Sequence, residues 1–213
     1  MSMNNSKKAP LVAAAVAGSV VTAEAARKSK RVDKLISRIK DDSAEVRTEA
    51  WQRAGEVGAP AVKPLAEVMT DENLEVARAA KRALWKIVRV AGRPEGGRQK
   101  RAVETQLIDL LGESQPVAVR REVLWMLSEI GERSSVRPIA ELMANKELRE
   151  DARMALERIP LEGAVRALKA GFEAAPEDFK LNLAQSLRKR GEEVAGYPCQ
   201  KLVPKKKTNV KPL

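Results

Sequence analysis

Five copies of one pattern, each a candidate helical hairpin, constrain this chain more than any other feature. Aligned on the first core position of the second helix, the copies read Val46, Val76, Val119, Leu148 and Phe179. Four residues on come Ala50, Ala80, Val123, Ala152 and Leu183, and eight on come Ala54, Leu84, Leu127, Leu156 and Leu187. Eleven on come Val57, Ile87, Ile130 and Ile159, and then Arg190, where the last copy departs. These offsets fall on one face of a helix. Gly58, Gly131, Pro160 and Gly191 at offset twelve are stop signals, with Val88 the exception. The clearest copy is Pro116 to Met143.

The first helices resemble one another too. Val62-Lys63-Pro64-Leu65 leads to Met69, and Val136-Arg137-Pro138-Ile139 leads to Met143. Val32 to Leu35, Val103 to Leu110 and Val165 to Leu168 are looser versions. Both prolines are expected near helix starts, where a missing N–H does little harm. Copy spacings of 30, 43, 29 and 31 residues mark an insertion in the second interval. Its glycine-rich stretch, Gly92 to Lys100, predicts a loop over 92–101. Asp41-Asp42-Ser43 and Glu177-Asp178 sit at inter-helix turns as N-cap candidates. A lone hairpin cannot bury its apolar face, whereas several stacked hairpins share a continuous core. The fold class that follows is all-α, a right-handed α-solenoid of about five hairpins over 31–193. An aromatic content of 3% fits helices packed through small aliphatic side chains.

The segments 1–30 and 194–213 lie outside the repeats. Lys7 and Lys8 precede the apolar run Leu11 to Val21 and the small-x-small triplet Ala23-Glu24-Ala25, the order of a secretory signal. Arg27, Lys28, Lys30, Arg31 and Lys34 would then begin the mature chain and oppose translocation. Export after cleavage near residue 25 and a cytoplasmic chain with an N-terminal extension are both compatible with this pattern. The run is too short to span a bilayer. The C-terminal segment carries five lysines, no acid and the one cysteine, Cys199, and it reads as a flexible basic tail. Lys205-Lys206-Lys207 admits a nuclear-signal or phosphate-contact reading besides that of a solvated tail. The net charge of +11 sits mainly in these two ends, because residues 31–193 carry 30 basic and 28 acidic side chains.

The chain contains no histidine and one cysteine. That composition excludes His-based acid–base chemistry, the common His-dependent nucleophiles and most zinc sites. Gly92 to Lys100 lacks the Gly-Lys-Ser/Thr of a phosphate loop. The sequence therefore predicts no catalytic residues, no cofactor and no metal. Information about function lies on the outward columns of the second helices. At offsets two, six and nine these hold Arg78, Arg82, Trp85, Arg121, Trp125 and Met154. Exposed Trp and Arg are favoured in binding hot spots, which makes these six the candidate partner-binding residues. The same side chains also fit internal stacking, with Trp125 leaning between repeats and Lys86 pairing with Glu56 and Glu129 at its own offset. Trp51, at offset five, is expected to be wedged between repeats. From Arg78 to Arg101 there are nine cations against Glu95, a run that could follow phosphates or form a solvated face.

The string Val46-Arg47-x-x-Ala50, with Val119-Arg120 and Leu148-Arg149 in register, resembles HEAT-like repeats of the phycobilisome-lyase type across 31–191. The resemblance implies an armadillo-like solenoid whose second helices line a concave, ligand-facing side, and it specifies no activity. Ala77 and Lys180 replace the Arg in copies two and five, a departure from the Asp/Arg ladder of such families. Three functions follow as expectations. One is a scaffold that binds a protein or peptide. A second is a nucleic-acid binder resembling the HEAT-like DNA glycosylases, although no Asp stands in the outward columns. The third is an accessory subunit of a bilin-lyase-type enzyme. A lysine-hydroxylase role, which such families also include, requires iron-binding His that this chain lacks.

Overall fold

The computed structural model describes residues 9–198, with side chains from residue 24 onward. Cys199 and the lysine tail lie outside the described residues, as do the side chains of the Leu11–Val21 run. Ten α-helices and no strand make up the described part: α1 (Ala9–Ile39), α2 (Ala44–Arg53), α3 (Val62–Val68), α4 (Leu74–Ala91), α5 (Gly97–Asp109), α6 (Val117–Ile130), α7 (Arg133–Glu141), α8 (Arg149–Arg158), α9 (Glu162–Ala174) and α10 (Glu177–Lys189). Each odd-numbered helix pairs with the even-numbered helix after it, giving five hairpins. Even-numbered helices also pack on the next even-numbered helix, and odd-numbered helices on the next odd-numbered one. Among the described residues no helix is long and apolar enough to cross a membrane.

The core columns are where the periodicity puts them except in the first copy, where Val46 and Val57 are half-buried. Ala50, Ala80, Val123, Ala152 and Leu183 are buried, as are Ala54, Leu84, Leu127, Leu156 and Leu187. Fully burying one of the Val or Leu side chains contributes roughly 1.5–3 kcal/mol before entropy is subtracted. Arg190, the departure at offset eleven, has its own explanation. Its guanidinium donates to the carbonyls of Glu157 at 3.1 Å, Leu156 and Leu161 at 3.3 Å, and Ile159. It therefore satisfies the carbonyls that the end of α8 leaves without helical partners.

The turns repeat as well. Asp41 accepts the Ser43 N–H at 2.9 Å, and Asp71, thirty residues on, accepts the Asn73 N–H at 3.0 Å. Ser43 then caps α2 through the Val46 N–H, and Asn73 caps α4 through the Glu75 N–H. Arg47 and the buried Arg120 turn back to carbonyls before their own helices, those of Asp41 and Asp42 for one and Leu111 for the other. Arg149 instead crosses to the next hairpin, where it pairs with Asp178 at 2.6 Å and covers the ring of Phe179. The buried Glu104 of α5 accepts the Glu132 N–H and the Ser135 hydroxyl, and so caps α7 from the preceding hairpin.

Several expectations are corrected. The stretch 92–101 is not all loop: α5 begins at Gly97, and Gln99 reaches back to the Gly55 carbonyl. Helix α1 runs through residue 30 without a break, and its Val32, Leu35 and Ile39 enter the core. Helix α7 starts at Arg133, which places Pro138 inside it rather than at its start. Glu177 and Asp178 do not cap α10, because Pro176 holds that position; they lie in its first turn.

Offset nine is not an outward column. Gly55 and Ser128 are buried there, and Trp85 is half-buried. A second helix is covered by its hairpin partner and also by the next second helix, so its buried arc is wider than one stripe. A Cβ added at Gly55 would lie 2.6 Å from Val90 Cγ2 of α4. Gly55→Ala is accordingly expected to lower stability by about 1–3 kcal/mol in chemical denaturation, the range for overpacking.

Helices α8 and α10 are joined through Glu157. Its carboxylate takes Lys189 at 2.5 Å, the Ser186 hydroxyl at 2.7 Å and Arg153 at 2.9 Å. Burial opposes the charged form, but the hydrogen bonds from Lys189 and Ser186 and the Arg153 charge outweigh it and hold the carboxyl below the usual glutamate range. A carboxyl lowered by folding stabilises the chain above its unfolded pKa. That contribution is lost as pH falls through the folded value. Thermal melts from neutral to acid pH should therefore show a steeper loss for the wild type than for Glu157→Gln, and parallel losses would refute this role.

Candidate functional site

One face of α4 holds Arg78, Lys81, Arg82, Trp85, Lys86 and Arg89, a run of i, i+3, i+4 steps. The opposite face of the same helix is apolar, with Ala80, Ala83, Leu84, Ile87, Val88 and Ala91 buried. Segregation this strict leaves five cations and one indole on a single stripe. Together with Trp51 of α2 they wall a groove of about 340 Å³.

The cations differ in what they touch. Arg78 pairs with Glu75 at 2.6 Å on its own helix. Lys81 pairs with Glu122 of α6 at 2.6 Å. Arg82 lies over the Trp51 ring at 5.9 Å, and Arg89 lies over the Trp85 ring at 5.5 Å. Among the described residues, Arg82, Lys86 and Arg89 have no carboxylate within salt-bridge distance. The expected pairing of Lys86 with Glu56 and Glu129 does not form; Glu56 pairs with Arg53 instead. Like charges four apart, Arg78 with Arg82 and Arg82 with Lys86, destabilise a helix by roughly 0.2–0.5 kcal/mol each.

The indoles are held in two ways. Trp85 donates its N–H to Glu122 Oε1 at 2.6 Å, while Lys81 occupies Oε2 of the same carboxylate. Trp125 on α6 donates to Asp151 Oδ1 of α8 at 3.1 Å, while Arg121 occupies Oδ2 at 2.9 Å. Each of these helix junctions thus has a carboxylate gripped by an indole N–H and by a cation one helical turn before it. Trp51 is different. Its ring packs against the core, as expected for a wedge between repeats. Its Nε1 is the one buried side-chain polar atom among the described residues without a hydrogen-bond partner.

The six candidate residues fall into separate sets. Arg78, Arg82 and Trp85 line the groove. Arg121 is engaged by Asp151 and by the Glu147 carbonyl, and Trp125 keeps 43% of its surface exposed beside it. Met154 on α8 is half-buried and is not part of the groove wall. The outward spacing identified Arg78, Arg82, Arg121 and Trp125 as exposed. It missed Trp51, which sits off the outward columns at offset five, and it left Lys86 and Arg89 in an undivided basic run. That run also divides: Lys100 pairs with Glu132, away from the groove.

Among the described residues no group of three or more Cys, Asp or Glu side chains is arranged to hold a metal ion. No family model matches the chain, and no curated protein matches it.

The three indoles should differ in access. Trp125, as sole tryptophan in a Trp51→Phe/Trp85→Phe chain, is expected to be quenched by acrylamide more strongly than Trp51 in the Trp85→Phe/Trp125→Phe chain. Equal quenching would contradict the burial described.

Proposed function

We propose that the chain is a non-catalytic adaptor, a right-handed α-solenoid of five HEAT-like hairpins that binds a protein or peptide on the face formed by its even-numbered helices. The observation that carries this reading is the α4 stripe. Five cations and an indole share one helix face, and Arg82, Lys86 and Arg89 have no carboxylate partner among the described residues. Such a stripe costs helix stability through like-charge neighbours. Glu75 and Glu122 offset that cost for Arg78 and Lys81, and an anionic partner would offset it for Arg82, Lys86 and Arg89. The order of helix packing, odd on odd and even on even, supports the solenoid.

The chemistry on this face suits binding. Arg presents planar donors to carboxylates, and Trp supplies a large rigid contact surface. Trp125 and Met154 would extend the surface toward α8, with Arg121 holding Trp125 in place through Asp151. Nucleic acid is the second reading, because the same cations suit phosphate. The smaller span favours a peptide: five of the nine cations from Arg78 to Arg101 converge on one short groove, and the others lie elsewhere.

Both readings meet one experiment. Tagged wild type and Arg78→Glu/Arg82→Glu are used to capture partners from lysate of the source cells, with nuclease treatment in parallel. The expected result is a discrete protein captured by wild type, resistant to nuclease, and lost from the reversed chain while helical circular dichroism is unchanged. Capture that survives the reversal removes the groove from the function. Binding that disappears with nuclease and falls steeply with salt favours nucleic acid.

A further inference from the structure

We infer that the groove between α2 and α4 takes an acidic peptide segment, with a carboxylate of that segment completing the junction at Trp51. This inference rests on the adaptor reading and specifies its ligand. The internal pattern of the fold supports it. At the junction of α4 and α6, a carboxylate of the following helix receives the Trp85 N–H and the Lys81 ammonium. At the junction of α6 and α8, a carboxylate of the following helix receives the Trp125 N–H and the Arg121 guanidinium. The two acceptors, Glu122 and Asp151, occupy the same place in their copies, three residues after Val119 and Leu148.

The junction of α2 and α4 breaks the pattern twice. The residue three after Val76 is Ala79, which has no acceptor. In place of an anion, α4 presents the Arg82 guanidinium to the Trp51 ring. Arg47, the cation one turn before Trp51, is turned away to the carbonyls of Asp41 and Asp42. The indole N–H is left buried without an acceptor, which is unfavourable because the desolvation of the donor is not repaid. The first junction therefore has a cation over its indole, and the methyl group of Ala79 at the position where the other two have a carboxylate acceptor. One carboxylate from outside would correct both.

The groove suits a short segment that carries more than one acid. Arg82, Lys86 and Arg89 lie along one side of α4 with no carboxylate partner among the described residues. Arg82 has no such anchor, so it can turn from the Trp51 ring onto an incoming carboxylate. A charge-assisted hydrogen bond of this kind is about twice as strong as a neutral one. A nucleic-acid strand would present phosphates to the same cations. It would gain less from the carboxylate-sized arrangement that Glu122 and Asp151 exemplify.

The test uses the full chain and three probes: fluorescein-labelled octaglutamate, octaglutamine and an octathymidylate strand. Octaglutamate should bind, octaglutamine should not, and octathymidylate should bind more weakly than octaglutamate. Arg82→Gln/Lys86→Gln, which changes only the groove rim, should weaken octaglutamate by about tenfold or more with unchanged circular dichroism. Trp51→Phe keeps an aromatic ring of smaller size, removes the N–H and should weaken it severalfold. Failure of octaglutamate to bind, binding insensitive to both variants, or tighter binding of octathymidylate would overturn the inference. If octaglutamate fails while Arg78→Glu/Arg82→Glu still releases a captured protein, the acidic assignment alone falls. If octaglutamate binds with the expected sensitivity and no protein is captured, the ligand class stands and the adaptor reading falls.

Discussion

A hairpin of two short helices has more apolar surface than its two members can cover on each other. The rest of this structure depends on that constraint. Each even-numbered helix must also be covered by the next one, and the same holds for the odd-numbered set. This is why Gly55 has no room for a side chain against Val90, and why Glu104 caps a helix belonging to the following hairpin. Arg190, in the last described hairpin, stands where the other copies have an aliphatic residue. Its guanidinium closes carbonyls at the end of α8.

The same stacking places polar side chains at each junction, and these give the copies their individual characters. Two junctions hold a carboxylate between an indole and a cation. The last, between α8 and α10, is closed by Glu157 with Lys189, Ser186 and Arg153. Surface pairs of this kind are individually weak, but shared carboxylates form small networks and fix which side chains remain available. The first junction, at Trp51, has no such carboxylate. It is also the place where α4 brings its cations together, so the irregularity and the candidate site coincide.

Much of this was legible in the sequence, because a buried column needs only a period. Val119, Val123, Leu127 and Ile130 lie on one helix face and are buried. Ser43 announces its cap three residues ahead of Val46. Exposure of Arg82 and Trp125 followed from the same wheel. The failures share one cause, which is that a helical wheel knows nothing of the neighbouring helix. Trp85 points outward by angle, yet it is half-buried because α6 stands beside it and Glu122, 37 residues away, takes its N–H. Spacing alone pairs Lys86 with carboxylates at its own offset, whereas the carboxylates that accept indoles come from offset three of the next copy. The start of α5 at Gly97 was hidden by glycines that read as loop, although Gln99 and Lys100 already make helix-side contacts with Gly55 and Glu132.

With the first junction open and the next two closed by carboxylates, the three indoles should respond differently to an acidic ligand. The three indole N–H groups give three cross-peaks in a proton–nitrogen correlation spectrum, assigned by Trp→Phe replacement. On titration with octaglutamate, the Trp51 peak should move most as its N–H gains an acceptor. The Trp85 and Trp125 peaks should move little, because Glu122 and Asp151 already hold them. Equal movement of all three, or movement of Trp125 with Trp51 unchanged, would contradict this account of where the chain meets its partner.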